Sequence, residues 1–353
     1  MKTLLRLLLQ SQHQRNRSGP AQTDKGMTLV ELLVGSIMAV LIITPMLGFV
    51  VDMLNTDRRE QVKSTTEQDI QAAVDFIAQD LSQAIYIYDN NPVPTSTATT
   101  TATGIPALLA GKFIPPADNN QTPILVFWKR RQIENAVPVN ATLTPTPMDC
   151  APGECNDAYV LSLVAYYQVK ERQNTWCQPS GNDCPTRIAR YEISDGVKDP
   201  SSPDPNNPYY YAPETNKYAP HKAFDTKFDI SKPTENVTLG PDNFGKPEVL
   251  VNYIDHSLKQ LAVDECQKAL SNPETQIGLA GPTKVLEDTL KVTDKSTNSF
   301  YACVDNARNI ARVTIRGNSL RRLQPTGANY DANKSAYFPT ASVQVEGLGA
   351  TGK

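Results

Sequence analysis

The stretch KGMTLVELLVGSIMAVLIITPMLGFVVDM, residues 25–53, determines how the chain is organised. Glu31 is the only charged residue between Met27 and Val51, and the 20 residues 32–51 carry no charge. A helix of that length rises about 30 Å, which is the thickness of the hydrocarbon core of a bilayer. The sequence therefore predicts one membrane-spanning helix near the N-terminus.

The residues ahead of this run indicate its topology. Residues 1–26 contain five Lys or Arg residues and one Asp, a net charge of +4, whereas the whole chain has a net charge of −3. A basic segment before an apolar one favours a cytoplasmic N-terminus. A secretory signal peptide fits less well, because its apolar stretch is usually about 7–15 residues long and ends at a small-residue cleavage site. We expect a single-pass protein whose remaining residues are exported.

Glu31 is costly in this position, because a carboxylate near the start of an apolar helix loses hydration. One interpretation places its side chain at the membrane interface, where it reaches water. In the other, cleavage between Gly26 and Met27 frees an α-amine four residues before Glu31. The amine of a neighbouring copy can then pair with the carboxylate in a medium of low dielectric constant.

The motif KGMTLVELLV, residues 25–34, resembles the class III signal of type IV pilins and pseudopilins. The resemblance implies that prepilin peptidase cuts after Gly26 and methylates the new N-terminus at Met27, where the family usually has Phe. It implies that Glu31 guides assembly with other pilins and an inner-membrane assembly platform. It also implies a single-pass inner-membrane protein with its head in the periplasm, which later joins a cell-surface or periplasmic filament.

The apolar run is followed by an amphipathic pattern. Apolar residues recur at steps of three and four, which predicts one face of a helix: Ile70, Val74, Ile77, Leu81, Ile85 and Tyr88. The polar residues between them fall mainly on the other face: Asp69, Asp75, Gln79, Asp80 and Gln83. We expect the helix to continue to residue 89, where the sequence Asn90-Asn91-Pro92 ends it.

The remainder of the chain predicts short strands joined by loops, which favours an antiparallel sheet. The expected strands are 123–132, 158–170, 187–194, 248–254, 300–304 and 310–316. The prediction is an α+β fold that resembles pilins, with a long N-terminal helix packed on an antiparallel β-sheet head that carries long loop insertions. The expected divisions are a leader 1–26, transmembrane and amphipathic helix halves 27–52 and 53–89, a Thr/Pro-rich linker and loop 90–122, and a head 123–353 with an insertion at about 197–247.

All six cysteines follow the membrane run: Cys150, Cys155, Cys177, Cys184, Cys266 and Cys303. An even number of cysteines in an exported domain favours disulfides. Several pairings are possible, and the local one joins each cysteine to its neighbour in sequence, Cys150 to Cys155, Cys177 to Cys184 and Cys266 to Cys303. A zinc site is disfavoured, because no two cysteines have Cys-x2-Cys spacing and both His221 and His256 are isolated. We expect no bound metal.

The sequence gives little support for catalysis. GPDNFGK, residues 240–246, is followed by Pro247 where a phosphate loop has Ser or Thr. The Asp/Asn-rich residues 199–207 lack the spacing of a known calcium loop. G-x-S-x-G and H-E-x-x-H motifs are missing, and a sequence pI near 5.7 disfavours nucleic-acid binding. We expect no catalytic residues, no cofactor and no nucleic-acid partner.

These features together favour a minor pilin or pseudopilin, a non-enzymatic filament subunit. The Tyr- and Pro-rich head and the ending YFPTASVQVEG, residues 337–347, resemble the cyanobacterial hormogonium polysaccharide-secretion pseudopilins. That resemblance implies a role in polysaccharide secretion and gliding, with polysaccharide as a further partner. PilW-like minor pilins of twitching or DNA-uptake systems and type II secretion pseudopilins remain open. The alternative class is a bitopic membrane-anchored glycan-binding or adhesion protein that does not polymerise.

Overall fold

The fold is described from a computed structural model. The described residues are 28–90, 104–110, 114–117, 120–139, 153, 155–170, 175–180, 184–199, 219–221, 224, 247–257, 261–271, 275–278, 281–284, 287–293 and 298–349. The chain divides into two compact units, residues 1–58 and 59–353. The predicted leader 1–26 lies outside the described residues, and so do Met27 and residues 240–246.

Helix α1 is Leu29–Ser82, and it is the longest element of the described chain. Thr28 precedes it, and its Oγ1 accepts a hydrogen bond from the N–H of Glu31 at 3.3 Å, as an N-capping side chain does. Pro45 lies inside the helix without ending it. The predicted apolar stripe is confirmed from Ile70 to Leu81, because Ile70, Val74, Ile77 and Leu81 are fully buried.

The predicted helix end at residue 89 is wrong. The helix ends at Ser82, and strand β1, Ala84–Ile87, follows after a single residue. The segment Ala-Ile-Tyr-Ile contains β-branched and aromatic residues, which favour a strand once a neighbouring strand is present. β1 pairs antiparallel with the next strand, with Tyr86 opposite Trp128 and Ile87 opposite Phe127.

A five-stranded antiparallel sheet follows in simple chain order, β1-β2-β3-β4-β5. The other strands are β2, Gln121–Pro138; β3, Cys155–Val169; β4, Thr186–Ser194; and β5, Glu248–Ile254. The predicted strands are all present, and β5 has the predicted bounds. β2 is longer than predicted, and it pairs with β3 with register shifts after Pro123 and Ile133.

A second, four-stranded antiparallel sheet has the order β11-β10-β9-β8, and β6 pairs with β7 as a separate ribbon. The strands are β6, Thr275–Gly278; β7, Gly281–Lys284; β8, Lys291–Thr293; β9, Phe300–Asp305; β10, Ile310–Arg316; and β11, Thr340–Glu346. The short helices are α2, Ile105–Ala110; α3, Glu265–Ala269; α4, Glu287–Leu290; α5, Ser319–Leu323; and a 3-10 helix, Ala332–Tyr337. The described chain is thus α+β with antiparallel sheets.

Parts of the predicted linker and insertion contribute to the core. Ile105 and Leu108 of α2 are buried, as is Ile114, although the sequence predicted a linker and loop over 90–122. Phe224 of the predicted insertion is also buried and meets Trp128 edge to face, with ring centroids 6.0 Å apart. The apolar side chains in these segments therefore pack in the same core as the five-stranded sheet.

Two close contacts hold the sheets and the C-terminal half of α1 together within residues 59–353. Asn309 accepts a hydrogen bond through Oδ1 from the N–H of Ile87 at 3.1 Å, which ties the β9–β10 turn to β1. Gly317, just after β10, leaves no room for a side chain. A Cβ there would lie 2.9 Å from Ile70 Cγ1 and 2.9 Å from Thr66 Cγ2, so a glycine is required for this approach.

Candidate functional site

The N-terminal half of α1 presents an apolar surface. From Leu29 to Leu54, the large apolar side chains are between 44% and 87% exposed. This is the one helix of the described chain that is long and apolar enough to span a membrane. Apolar surface of this extent requires lipid or protein against it.

Glu31 lies in the first turn of α1, on this apolar surface. Its N–H donates to the carbonyl of Thr28 at 3.0 Å, which starts the helix. The N-terminal turn of a helix favours a negative charge, because its free N–H groups carry partial positive charge. Among the described residues, no side chain forms an ion pair with Glu31. Gly26 and Met27, which the sequence predicts as the processing residues, lie outside the described part of the chain.

The other half of α1 is attached to the sheet by a buried charged cluster around Asp80. Lys129 Nζ donates to Asp80 Oδ1 at 2.6 Å, Tyr166 donates its hydroxyl to Oδ2 at 2.6 Å, and Arg190 Nε donates to Oδ2 at 2.8 Å. The three donors come from β2, β3 and β4. One carboxylate on the helix therefore holds three adjacent strands of the sheet.

Glu192 completes this cluster and balances its charge. Its Oε2 lies 2.6 Å from Arg190 Nη2, and its Oε1 accepts a hydrogen bond from Ser162 at 2.6 Å. Two carboxylates thus face two cations, Lys129 and Arg190. Because the partners satisfy one another, the charges can remain ionised away from water.

Burial alone would raise the pKa of Asp80, but the hydrogen bonds from Arg190, Lys129 and Tyr166 outweigh it and hold the pKa below its ordinary value. Burial likewise opposes ionisation of Glu192, and the hydrogen bond from Ser162 with the charge of Arg190 lowers its pKa. Burial and the contact with Asp80 raise the pKa of Tyr166. The sequence-based placement of Asp80 on the polar face was wrong. Its position three residues after buried Ile77 was the signal for the inner face.

The described disulfides follow the local pairing. Cys177 is bonded to Cys184, and Cys266 is bonded to Cys303. Cys155 is also in a disulfide, and its partner lies outside the described residues, as does Cys150. Cys266 and Cys303 join α3 to β9 in a small buried cluster of their own.

Within the described residues, no group of three or more His, Cys, Asp or Glu side chains could hold a metal ion. Comparisons with protein-family models, with curated proteins and with solved structures find no match to this chain.

Proposed function

We propose that this chain is a minor pilin or pseudopilin, a non-enzymatic subunit of a type IV pilus-like or secretion filament. The observation that carries the proposal is the design of α1. One continuous helix begins with an exposed apolar half that contains a single acid, Glu31, and it continues into a half that packs on an antiparallel sheet. The motif around Gly26 and Met27 supplies the matching processing signal.

The length of α1 supports a filament subunit over a simple anchor. Its 54 residues correspond to about 80 Å of helix, and a bilayer requires only about 20 residues. In the proposed filament, apolar halves of neighbouring subunits pack side by side. Glu31 is then removed from water, and the free α-amine of a neighbour at Met27 offsets its charge.

The same arrangement accounts for the exported head. Before assembly, the apolar half of α1 would span the inner membrane once, with the head in the periplasm. Disulfides such as Cys266–Cys303 persist in an oxidising compartment, which agrees with that location. Prepilin peptidase, other pilins and an inner-membrane assembly platform are the partners that this proposal requires.

The decisive test is the N-terminal peptide of the mature protein from its native host, identified by mass spectrometry. We expect a peptide that begins at N-methylated Met27. Gly26→Ala should retain the leader, whereas Gly19→Ala, a matched change within the same leader, should be processed normally. A native N-terminus at Met1, or one beyond Asp52, would contradict the proposal and favour an anchored or secreted binding protein.

A further inference from the structure

A cleft of about 660 Å³ opens within residues 59–353. We name it the aromatic cleft, and its walls come from residues 69–76 of α1, residues 175–178, residues 250–253 of β5, and Arg322. Pockets for small ligands are usually about 300–1,000 Å³ and combine apolar walls with a few polar groups. The aromatic cleft has that size and composition.

Three aromatic side chains line the cleft: Phe76, Trp176 and Tyr253. Phe76 is 43% exposed, a high value for a Phe at the edge of a core, and Trp176 and Tyr253 are half-buried. Among the described residues, none accepts a hydrogen bond from the indole N–H of Trp176. Aromatic faces carry partial negative charge and attract polarised C–H groups.

The lining is held in place before any ligand arrives. Asn252 Nδ2 donates to the carbonyl of Trp176 at 3.1 Å, and the hydroxyl of Tyr253 donates to the carbonyl of Gln178 at 3.0 Å. Trp176 directly precedes Cys177, which is anchored by its disulfide to Cys184. Tyr253 has a φ of 59°, a conformation that non-glycine residues adopt mainly where the surrounding structure enforces it. A preformed site loses less entropy when it binds.

The polar groups of the lining select the kind of ligand. Arg322 Nη2 is hydrogen-bonded to Asp69 Oδ2, and its guanidinium stacks over Tyr253 with 4.4 Å between Cζ and the ring centroid. Asp69 and Arg322 are the two charged residues of the lining, so its formal charge is zero. The cleft thus presents apolar faces, an acceptor in Asp69 and a donor in Arg322, without a net charge.

We propose that the aromatic cleft binds a stretch of neutral polysaccharide. A sugar ring has an apolar C–H face for Phe76 and Trp176, and hydroxyl groups that donate to Asp69 and accept from Arg322. A proline-rich peptide also suits aromatic grooves, but its proline residues lack N–H groups and therefore offer no donor to Asp69 Oδ1, the carboxylate oxygen that Arg322 does not contact. An acidic polysaccharide would gain no net electrostatic attraction, because the charges of Asp69 and Arg322 cancel. The site does not depend on polymerisation of the chain, so it stands apart from the proposed filament role.

The test uses the full chain in a detergent without a sugar headgroup. The probes are cellohexaose, maltohexaose, laminarihexaose and mannohexaose, with an oligo-alginate and a peptide of residues 199–213 for comparison. The chain has two Trp residues, and Trp128 is buried with its indole N–H donated to Tyr88. Protection of Trp fluorescence from acrylamide therefore reports on Trp176, and calorimetry gives the dissociation constant.

We expect at least one neutral hexasaccharide to bind and to protect Trp176. Each of the variants Phe76→Ala and Trp176→Ala should weaken binding about tenfold. Trp176→Phe keeps an aromatic ring at this position and should retain most of the affinity. Tyr159→Ala removes a 67% exposed aromatic residue outside the cleft and should change nothing. Lack of binding by all four neutral sugars at about 10 mM would overturn the proposal. So would equal affinity for the alginate or the peptide, or binding that survives both alanine variants.

Discussion

Asp80 shows how a single side chain can fix the junction between a helix and a sheet. It is 7% exposed and receives hydrogen bonds from three different strands. Apolar packing from Ile77 and Leu81 would allow small rotations of the helix, because dispersion contacts have little directionality. Charge-assisted hydrogen bonds are directional, so Asp80 specifies the orientation of this half of α1 on the sheet.

We predict that Asp80→Asn destabilises the folded head by about 3–5 kcal/mol at neutral pH, since it leaves Lys129 and Arg190 facing Glu192 alone. The measurement is urea unfolding of the full chain in detergent, followed by near-ultraviolet circular dichroism. Asp75→Asn is the matched control. Asp75 is exposed on the same helix, and among the described residues its side chain accepts a hydrogen bond only from Gln71, at 2.9 Å. Its replacement should therefore lower the free energy of unfolding by less than about 0.5 kcal/mol.

The difference in stability between the wild-type chain and Asp80→Asn should depend on pH. Asp80 and Glu192 have lowered pKa values in the folded chain, so their contribution to stability is complete above the pKa of the unfolded carboxyls, about 4. It is lost as the pH falls through the folded-state values. Below about pH 4, the free energy of unfolding of the wild-type chain should therefore fall more steeply than that of Asp80→Asn. The difference between the two free energies should narrow. If the difference in free energy of unfolding stays constant down to the pH of acid unfolding, Asp80 contributes by packing alone.

At the scale of elements, local periodicity predicted the strands well and the end of the helix poorly. β5 and β10 have their predicted bounds because their alternation is set by residues within each strand. The spacing from Ile77 to Tyr88 fits a helix as well as a helix followed by a strand. The segment forms a strand because β1 pairs with Phe127 and Trp128, about forty residues away. A local sequence pattern contains no information about that contact.

The sequence contained enough information to predict β11 but not to predict the aromatic cleft. β11, Thr340–Glu346, was not among the predicted strands, although Ala341, Val343 and Val345 alternate with polar residues and would have indicated it. The aromatic cleft was beyond sequence reasoning. Its walls come from four segments between Asp69 and Arg322, and only the folded chain brings these segments together.

The two described disulfides should differ in their contribution to stability. Cys266 and Cys303 are 37 residues apart and Cys177 and Cys184 are 7 apart. Closing a longer loop removes more entropy from the unfolded chain. The double variant Cys266→Ala/Cys303→Ala should therefore lower the free energy of unfolding by about 4 kcal/mol, and Cys177→Ala/Cys184→Ala should lower it by about 2 kcal/mol. Guanidinium unfolding of the two double variants under identical conditions measures the difference. Equal losses, or a larger loss for the short loop, would contradict the loop-entropy argument.

At the scale of the whole molecule, Glu31 distinguishes a filament subunit from a passive anchor. An anchor gains from this carboxylate only the small benefit of a negative charge at the helix N-terminus, and replacing it by alanine should leave insertion unchanged or improve it. In a filament, the carboxylate and the α-amine of a neighbour would attract each other strongly in surroundings of low dielectric constant. The two roles therefore differ in one consequence of the substitution, because only a filament subunit requires Glu31 for incorporation into filaments.

We predict that Glu31→Ala leaves the amount of chain in the membrane unchanged or raised, while the variant is lost from filaments sheared off the cell surface. Glu31→Gln keeps the shape of the side chain without its charge, and it should fail in the same way. Glu60→Ala is the matched control, because Glu60 is exposed on the same helix beyond the apolar run and pairs with Lys63. Immunoblots of membrane and sheared fractions measure all three variants. Recovery of Glu31→Ala in the sheared fraction at the wild-type level would contradict this role of Glu31, and absence of the wild-type chain from that fraction would favour an anchor that does not polymerise.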